Sequence, residues 1–122
     1  MSEYLYKGVS SVTGDWITGS LYVVELDRMF IMDPKGCAQV RPETVCQCTD
    51  LTDRNGRKIF RNDICRIVDE DGTADYRIRW NVKNQCCEAE ELSTGYTDTF
   101  DRFFADRCEV VGNVHDQEVK HE

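Results

Sequence analysis

The chain has 122 residues, 40% of them hydrophobic and 31% charged, with a formal net charge of −8. That length holds one domain, or a small barrel with an extension, and the apolar content is too high for a disordered chain. The acid excess counts against general binding to nucleic acid or anionic membranes, because both need a surplus of Lys and Arg. No apolar run approaches the ~18 residues that span a bilayer; the longest, Leu21–Leu26, is broken by Glu25. The start, Met1-Ser2-Glu3-Tyr4, lacks the basic and apolar regions of a signal peptide, so a cytosolic location is expected. Seven cysteines without a secretory signal are expected as reduced thiols, most of them small core residues.

In chain order, Tyr4, Tyr6 and Gly8 read as a short strand followed by a Ser-Ser-Val-Thr-Gly turn. Trp16–Val24 is rich in aromatic and β-branched residues and reads as a strand, as does Met29–Met32. Asp33-Pro34-Lys35-Gly36 is turn chemistry. Val40–Val45 leads into a strand over Cys46–Leu51, with Pro42 placed where no ladder donor is needed. Within that strand Cys46 and Cys48 share a face and Gln47 takes the other, the alternation of a half-buried strand.

Asn55-Gly56 lies between two β-type runs and predicts a two-residue type I′ hairpin, with positive φ at both residues. A tight polar corner at Arg61-Asn62 starts a new strand over Asp63–Val68, where Asn62 is suited to a left-handed conformation. Asp63 is expected to bond backbone donors of that corner, a structural role preferred to a ligand role. Asp69–Gly72 is an acidic turn. In Tyr76–Trp80, Tyr76, Ile78 and Trp80 face one way and Arg77 and Arg79 the other. Asn81–Gln85 turns the chain, Cys86–Leu92 returns it, and a helical turn is allowed within 95–104. Cys108–Val114 closes as a last strand with a bulge or turn at Gly112-Asn113, and 116–122 reads as a flexible tail.

Short strands at near-regular spacing predict a mainly β protein with a small barrel, not a βαβ fold. The expected division is a β-rich N-terminal segment over 1–42, a barrel over 43–115 and the tail over 116–122.

Several separated segments, in order, resemble one family. Tyr6-Lys7-Gly8 with Gly14-Asp15-Trp16-Ile17-Thr18-Gly19-Ser20-Leu21 is similar to the opening of YopX proteins, where a basic-Gly pair precedes a G-x-W-[VI]-x-G-x-L run. Pro42-Glu43-Thr44-Val45-Cys46-Gln47 resembles the family's ETVGQ segment, with Cys46 at the glycine. Thr49-Asp50-Leu51 stands at the family's T-G-L, and Arg61-Asn62-Asp63-Ile64-Cys65 at its Gly-Asp-Ile-Val pattern, with Asn62 at the glycine. Glu109–Asp116 is similar to the EVIGNIYE ending. The resemblance implies an SH3-type barrel in the C-terminal half and a bacteriophage or prophage gene. It transfers no catalytic residue, since the family has no agreed activity.

Chemistry-bearing patterns are sparse. There is no Ser-His-Asp set, phosphate-cradling Gly loop, H-E-x-x-H or C-x-x-C. Cys46-x-Cys48 and Cys86-Cys87 lack zinc spacing, and His115 and His121 sit in no ligand pattern, so no metal, cofactor or enzymatic activity is expected. Between Arg54 and Arg66 lie five bases (Arg54, Arg57, Lys58, Arg61, Arg66) and one acid, Asp63. The candidate ligand or partner site is therefore Arg54, Arg57, Lys58 and Arg61 with Trp80. Trp80 is expected to fill the barrel interior; exposed instead, it would be a stacking platform beside Arg77 or Arg79.

The expected function is that of a phage accessory protein that binds a host protein or a nucleotide-like ligand, in one reading to counter host defence. The alternative is a nucleic-acid-binding module using the basic hairpin 54–61, which the net charge disfavours. Exposed edges of short apolar strands near the N-terminus predict pairing with a second subunit, hence a homo-oligomer.

Overall fold

The computed structural model describes residues 5–119; Tyr4 and His121 lie outside them. Among the described residues the architecture is mainly β, with antiparallel strands and one short helix. Two compact units are distinguished, one running to Cys48 and including the segment from His115, the other Thr49–Val114. No helix among the described residues is long and apolar enough to cross a membrane.

The first unit is built from β1 (Leu5–Val9), β2 (Trp16–Glu25), β3 (Arg28–Asp33), β4 (Gly36–Val40) and the first residues of β5 (Cys46–Thr52), in the order β4-β3-β2-β1-β5. Strand β4 was not expected. Its sequence, Gly-Cys-Ala-Gln-Val, has little β signature, and it forms because the Asp33–Gly36 turn folds it back on β3. Asp33 Oδ1 accepts from the backbone N–H groups of Lys35 at 2.8 Å and Gly36 at 3.1 Å, which closes that turn. A bridge between Ser10 and Val40 then joins the end of β4 to the residue after β1.

Val9, Ile31, Val40, Cys46 and Cys48 form the buried interior of this unit. The Thr44 hydroxyl is fully buried, accepting from Val9 N at 2.8 Å and donating to the Arg41 carbonyl at 2.7 Å. The Lys7 ammonium lies 4.7 Å from the centroid of the Trp16 ring. The segment expected as a tail is described only to Val119, and there Asp116–Glu118 is a 3-10 turn. Trp16 Nε1 donates to Asp116 Oδ1 at 3.0 Å and Arg41 Nη1 to the Glu118 carbonyl at 3.2 Å.

The second unit continues β5 beside β6 (Lys58–Phe60). It adds β7 (Asp63–Asp69), β8 (Gly72–Asn81), β9 (Cys86–Glu91), β10 (Thr97–Thr99), the helix α1 (Arg102–Arg107) and β11 (Glu109–Asn113). The larger sheet runs β10-β9-β8-β7-β11. Its core is Ile59, Cys65, Ile67, Ile78, Ala89, Phe104, Ala105, Cys108 and Val110. Phe104 meets Tyr76 and Phe100 edge-on at 5.1 and 5.7 Å, a geometry favoured by ring quadrupoles. The helix starts inside the 95–104 window, at its end, where Asp101 accepts from Phe104 N at 3.0 Å and caps it, and runs on to Arg107. The bulge expected at Gly112-Asn113 appears as a register shift between Val110 and Gly112.

Among the described residues the strands form two antiparallel sheets and no closed barrel. Strand β10 is an edge of three exposed residues, Thr-Asp-Thr, with no apolar side chain to draw it into a closed interior.

Asp50 and Asn62, the two non-glycine residues that the sequence resemblance sets at glycine positions in T-G-L and Gly-Asp-Ile, are both left-handed, at φ 71° and φ 72°. Asp50 carries conformational strain that glycine lacks. Asp50→Gly is expected to stabilise the second unit by about 1 kcal/mol, read as a higher denaturant midpoint with an unchanged slope.

Candidate functional site

The expected site divides into two places. At the hairpin, Asp53 is buried and its carboxylate organises the loop: Oδ1 accepts from Asn55 N and Arg57 N, each at 2.9 Å, and Oδ2 from Val110 N at 2.9 Å. Gly56 N bonds the Asp53 carbonyl and Asp53 N the Arg57 carbonyl, giving a three-residue loop, Arg54-Asn55-Gly56. Only Gly56, at φ 81°, is left-handed; Asn55 is not. The predicted type I′ turn is thus replaced by a loop one residue longer, because the buried carboxylate gathers its backbone donors. Arg54 N donates to the Cys108 carbonyl, and Arg57 Nη1 reaches the Val110 carbonyl at 3.4 Å. These two arginines belong to the 108–110 side of the unit, and Lys58 is exposed on β6.

The second place is the corner before β7. Asp63 is fully buried; its Oδ2 accepts from Phe60 N at 2.8 Å and its Oδ1 from Asn113 Nδ2 at 2.8 Å. The expected structural role of Asp63 holds. With Asn62 left-handed, the chain reverses and Arg61 is carried over the Trp80 ring, its guanidinium carbon 4.2 Å from the centroid. Trp80 sits near the end of β8, opposite Cys87 of β9, and is 40% exposed.

Trp80 therefore does not fill a barrel interior. The shared face of Tyr76, Ile78 and Trp80 runs past the end of the core: Ile78 is buried, Tyr76 packs on Phe104, and Trp80 overhangs. Its cationic neighbour is Arg61, not Arg77 or Arg79. Arg77 donates to Asn62 Oδ1 through Nε at 3.3 Å and Nη2 at 3.0 Å, and Arg79 is bound to acids. The Cys87 thiol below is pushed up by burial and drawn part of the way back by the Arg61 guanidinium.

Five charges of the sheet's outer side are mutually paired. Arg66 meets Asp75 at 2.8 Å, and Arg79 meets Glu88 at 2.7 Å and Glu90 at 3.4 Å. The Arg66 hydrogen bond holds Asp75 below the usual carboxylate range, as Asn81 and Arg79 do for Glu88. Among the described residues, Arg61 makes no such ion pair. Its half-buried guanidinium is instead stacked on the Trp80 ring, beside the Cys87 thiol.

Other candidates offer less. A cleft of about 370 Å³, lined by Thr73, Ala74, Asp75, Leu92 and Ser93, has one ionisable wall, Asp75, already held by Arg66. Cys65 and Cys108 are fully buried neighbours, and their mutual hydrogen bond with burial pushes Cys65 up, keeping it a thiol at neutral pH. Four of the seven cysteines, Cys46, Cys48, Cys65 and Cys108, are buried as expected of most of them, while Cys37 and Cys86 are exposed.

A family model described as "YopX protein" matches residues 14–119. The chain belongs to the YopX family. The match spans both the Trp16 and the Arg61–Trp80 regions of this YopX-family protein. A comparison with curated proteins found no match.

Sequence reasoning named both Arg61 and Trp80 but not their contact, and it missed Asp53 as the organiser of the hairpin. The signal for Asp53 was present: an Asp two residues before Asn-Gly is a ready acceptor for loop amides. Nothing local could have shown that its second oxygen is used by Val110.

Proposed function

We propose that this YopX-family protein is a non-enzymatic binding protein, encoded by a phage or prophage and acting in the bacterial cytosol. Its ligand is a planar anion of nucleotide type, taken up at Arg61 and Trp80. The observation that carries this reading is the Arg61–Trp80 stack, in which a half-buried cation with no acidic ion-pair partner among the described residues lies over a ring that is 40% exposed. A guanidinium over a ring can present N–H donors to a phosphate, while the rim of the indole offers a surface to a base. Sequestering such a ligand would suit a role against host defence signalling. The SH3-type reading of the second unit belongs with this proposal. It is supported by a four-strand meander, β7 to β10, whose fifth strand returns through a helical turn to lie beside the first.

The nucleic-acid alternative is less well supported. Arg66 and Arg79 are neutralised within the sheet, Arg57 turns to a carbonyl, and the chain's net charge is −8. It would be recognised by binding that weakens steeply with added salt.

The test is titration with nucleoside monophosphates and the matching nucleosides, followed by tryptophan fluorescence and calorimetry. Arg61→Ala and Trp80→Ala are each expected to weaken monophosphate binding by about tenfold or more while leaving the melting temperature nearly unchanged. Nucleosides should lose the Arg61 dependence. No binding of any nucleotide, together with an empty small-molecule filtrate from protein purified out of infected cells, would move the reading to a host protein as the target. Equal affinity in wild type and both variants would place the site elsewhere.

A further inference from the structure

The exposed sheet faces of the two units have opposite chemistry. In the second unit the outward face carries Arg66, Asp75, Arg79, Glu88 and Glu90, charges paired with one another. In the first unit, register places Ser20, Met32 and Cys37 in one row across β2, β3 and β4, and Tyr22, Phe30 and Gln39 in the next. Directly opposed residues share a face, so these six side chains form one patch. None is charged, in a chain where 31% of residues are. Tyr22 is 57% and Met32 48% exposed. The charges at the hairpin end, Glu25 and Arg28, stand opposite each other and match.

An uncharged patch that exposes Tyr22 and Met32 side by side with Phe30 marks an interaction surface, not an ordinary solvent face. We infer that it packs against the same patch of a second copy of the chain, face to face about a two-fold axis. The charge pattern selects that occupant. In an isologous contact each residue meets its own kind near the axis, so any charge there would meet a like charge, and a self-associating acidic chain must keep that region neutral. A foreign partner imposes no such requirement, and interfaces between identical subunits are more apolar than non-obligate ones. The contact differs from the edge pairing that the sequence suggested: the outer side of β4 is already engaged at Gln39 and Val40 by Ser11 and Ser10, while the face is open.

The patch carries its own reporter. Cys37 is exposed within it, and Cys86, exposed in the other unit, serves as the control. Sedimentation equilibrium of the full chain from about 1 to about 100 µM is expected to show a monomer–dimer equilibrium. Iodoacetamide labelling of Cys37 should slow as concentration rises, with the rate at Cys86 constant. Met32→Glu and Tyr22→Glu, at exposed positions, should each raise the dimer dissociation constant by about tenfold or more with unchanged circular dichroism. A monomer across the whole range overturns the inference and leaves the face to another occupant. So does a dimer that survives both substitutions with Cys37 still reactive.

Discussion

Asp63→Ala is expected to cost about 3–5 kcal/mol of folding stability, a large part of what a domain of this size holds. The carboxylate is fully buried and receives the Phe60 N–H and the Asn113 amide, each at 2.8 Å. Truncation removes from the buried corner the acceptor that both donors share, and a buried polar group that loses its hydrogen bond is costly. The bonds join the corner before β7 to β11, so the loss should unfold both together. Asp63→Asn keeps the shape and one acceptor and should lose roughly half as much. Urea denaturation of the three proteins measures this. A loss below about 1 kcal/mol for the alanine variant would mean that the corner is held by other contacts. Since Arg61 hangs from the same corner, the alanine variant should also loosen its stack on Trp80.

Gly19→Ala is expected to destabilise the first unit by about 3 kcal/mol. A methyl group at Gly19 would sit 2.0 Å from the carbonyl oxygen of Met32 and 2.8 Å from its carbon. Both atoms are backbone of the neighbouring strand, paired in register with Ser20, so no side-chain rotation relieves the clash. The sheet must open locally, and the apolar face of Tyr22, Phe30 and Met32 would distort with it. Gly8→Ala is the control, because its new contacts, at 3.1–3.3 Å, are with side-chain atoms of Val40 and Ile31 that can yield. Amide hydrogen exchange should show faster exchange in β2 and β3 of Gly19→Ala, with β7 and β8 unaffected. Uniform loss of protection would show that the two units unfold as one.

Much of the strand pattern was readable locally. Cys46 and Cys48 are both buried with Gln47 between them half-exposed, as period-two alternation requires. Asn62 was assigned a left-handed conformation because its side chain tolerates one, and it adopts it. Asp63, placed where corner amides need an acceptor, accepts one. The family resemblance rested on residues such as Gly14, Trp16 and Gly19, and the family match includes them. In each case the cause lies within a few residues along the chain, where propensity and hydrogen-bonding reach act without help from the fold.

The departures share a different origin. Strand β4 exists because β3 offers it a partner, not because Gly-Cys-Ala-Gln-Val favours a strand. Asn55 stays out of the left-handed region because Asp53 also serves Val110, 57 residues away. Trp80 reads as core from its alternation with Ile78, yet the strand outruns the interior, and only the sheet's packing decides where that interior ends. Its pairing with Arg61 joins residues 19 positions apart, through a reversal whose direction is set by two buried carboxylate bonds. Period, turn chemistry and charge are properties of neighbours in sequence, and they were legible as such. Exposure, ring-to-cation contact and the neutrality of a whole sheet face depend on which distant segments meet. Those are settled by the small balance of many long-range contacts, so they appear only when the chain is folded.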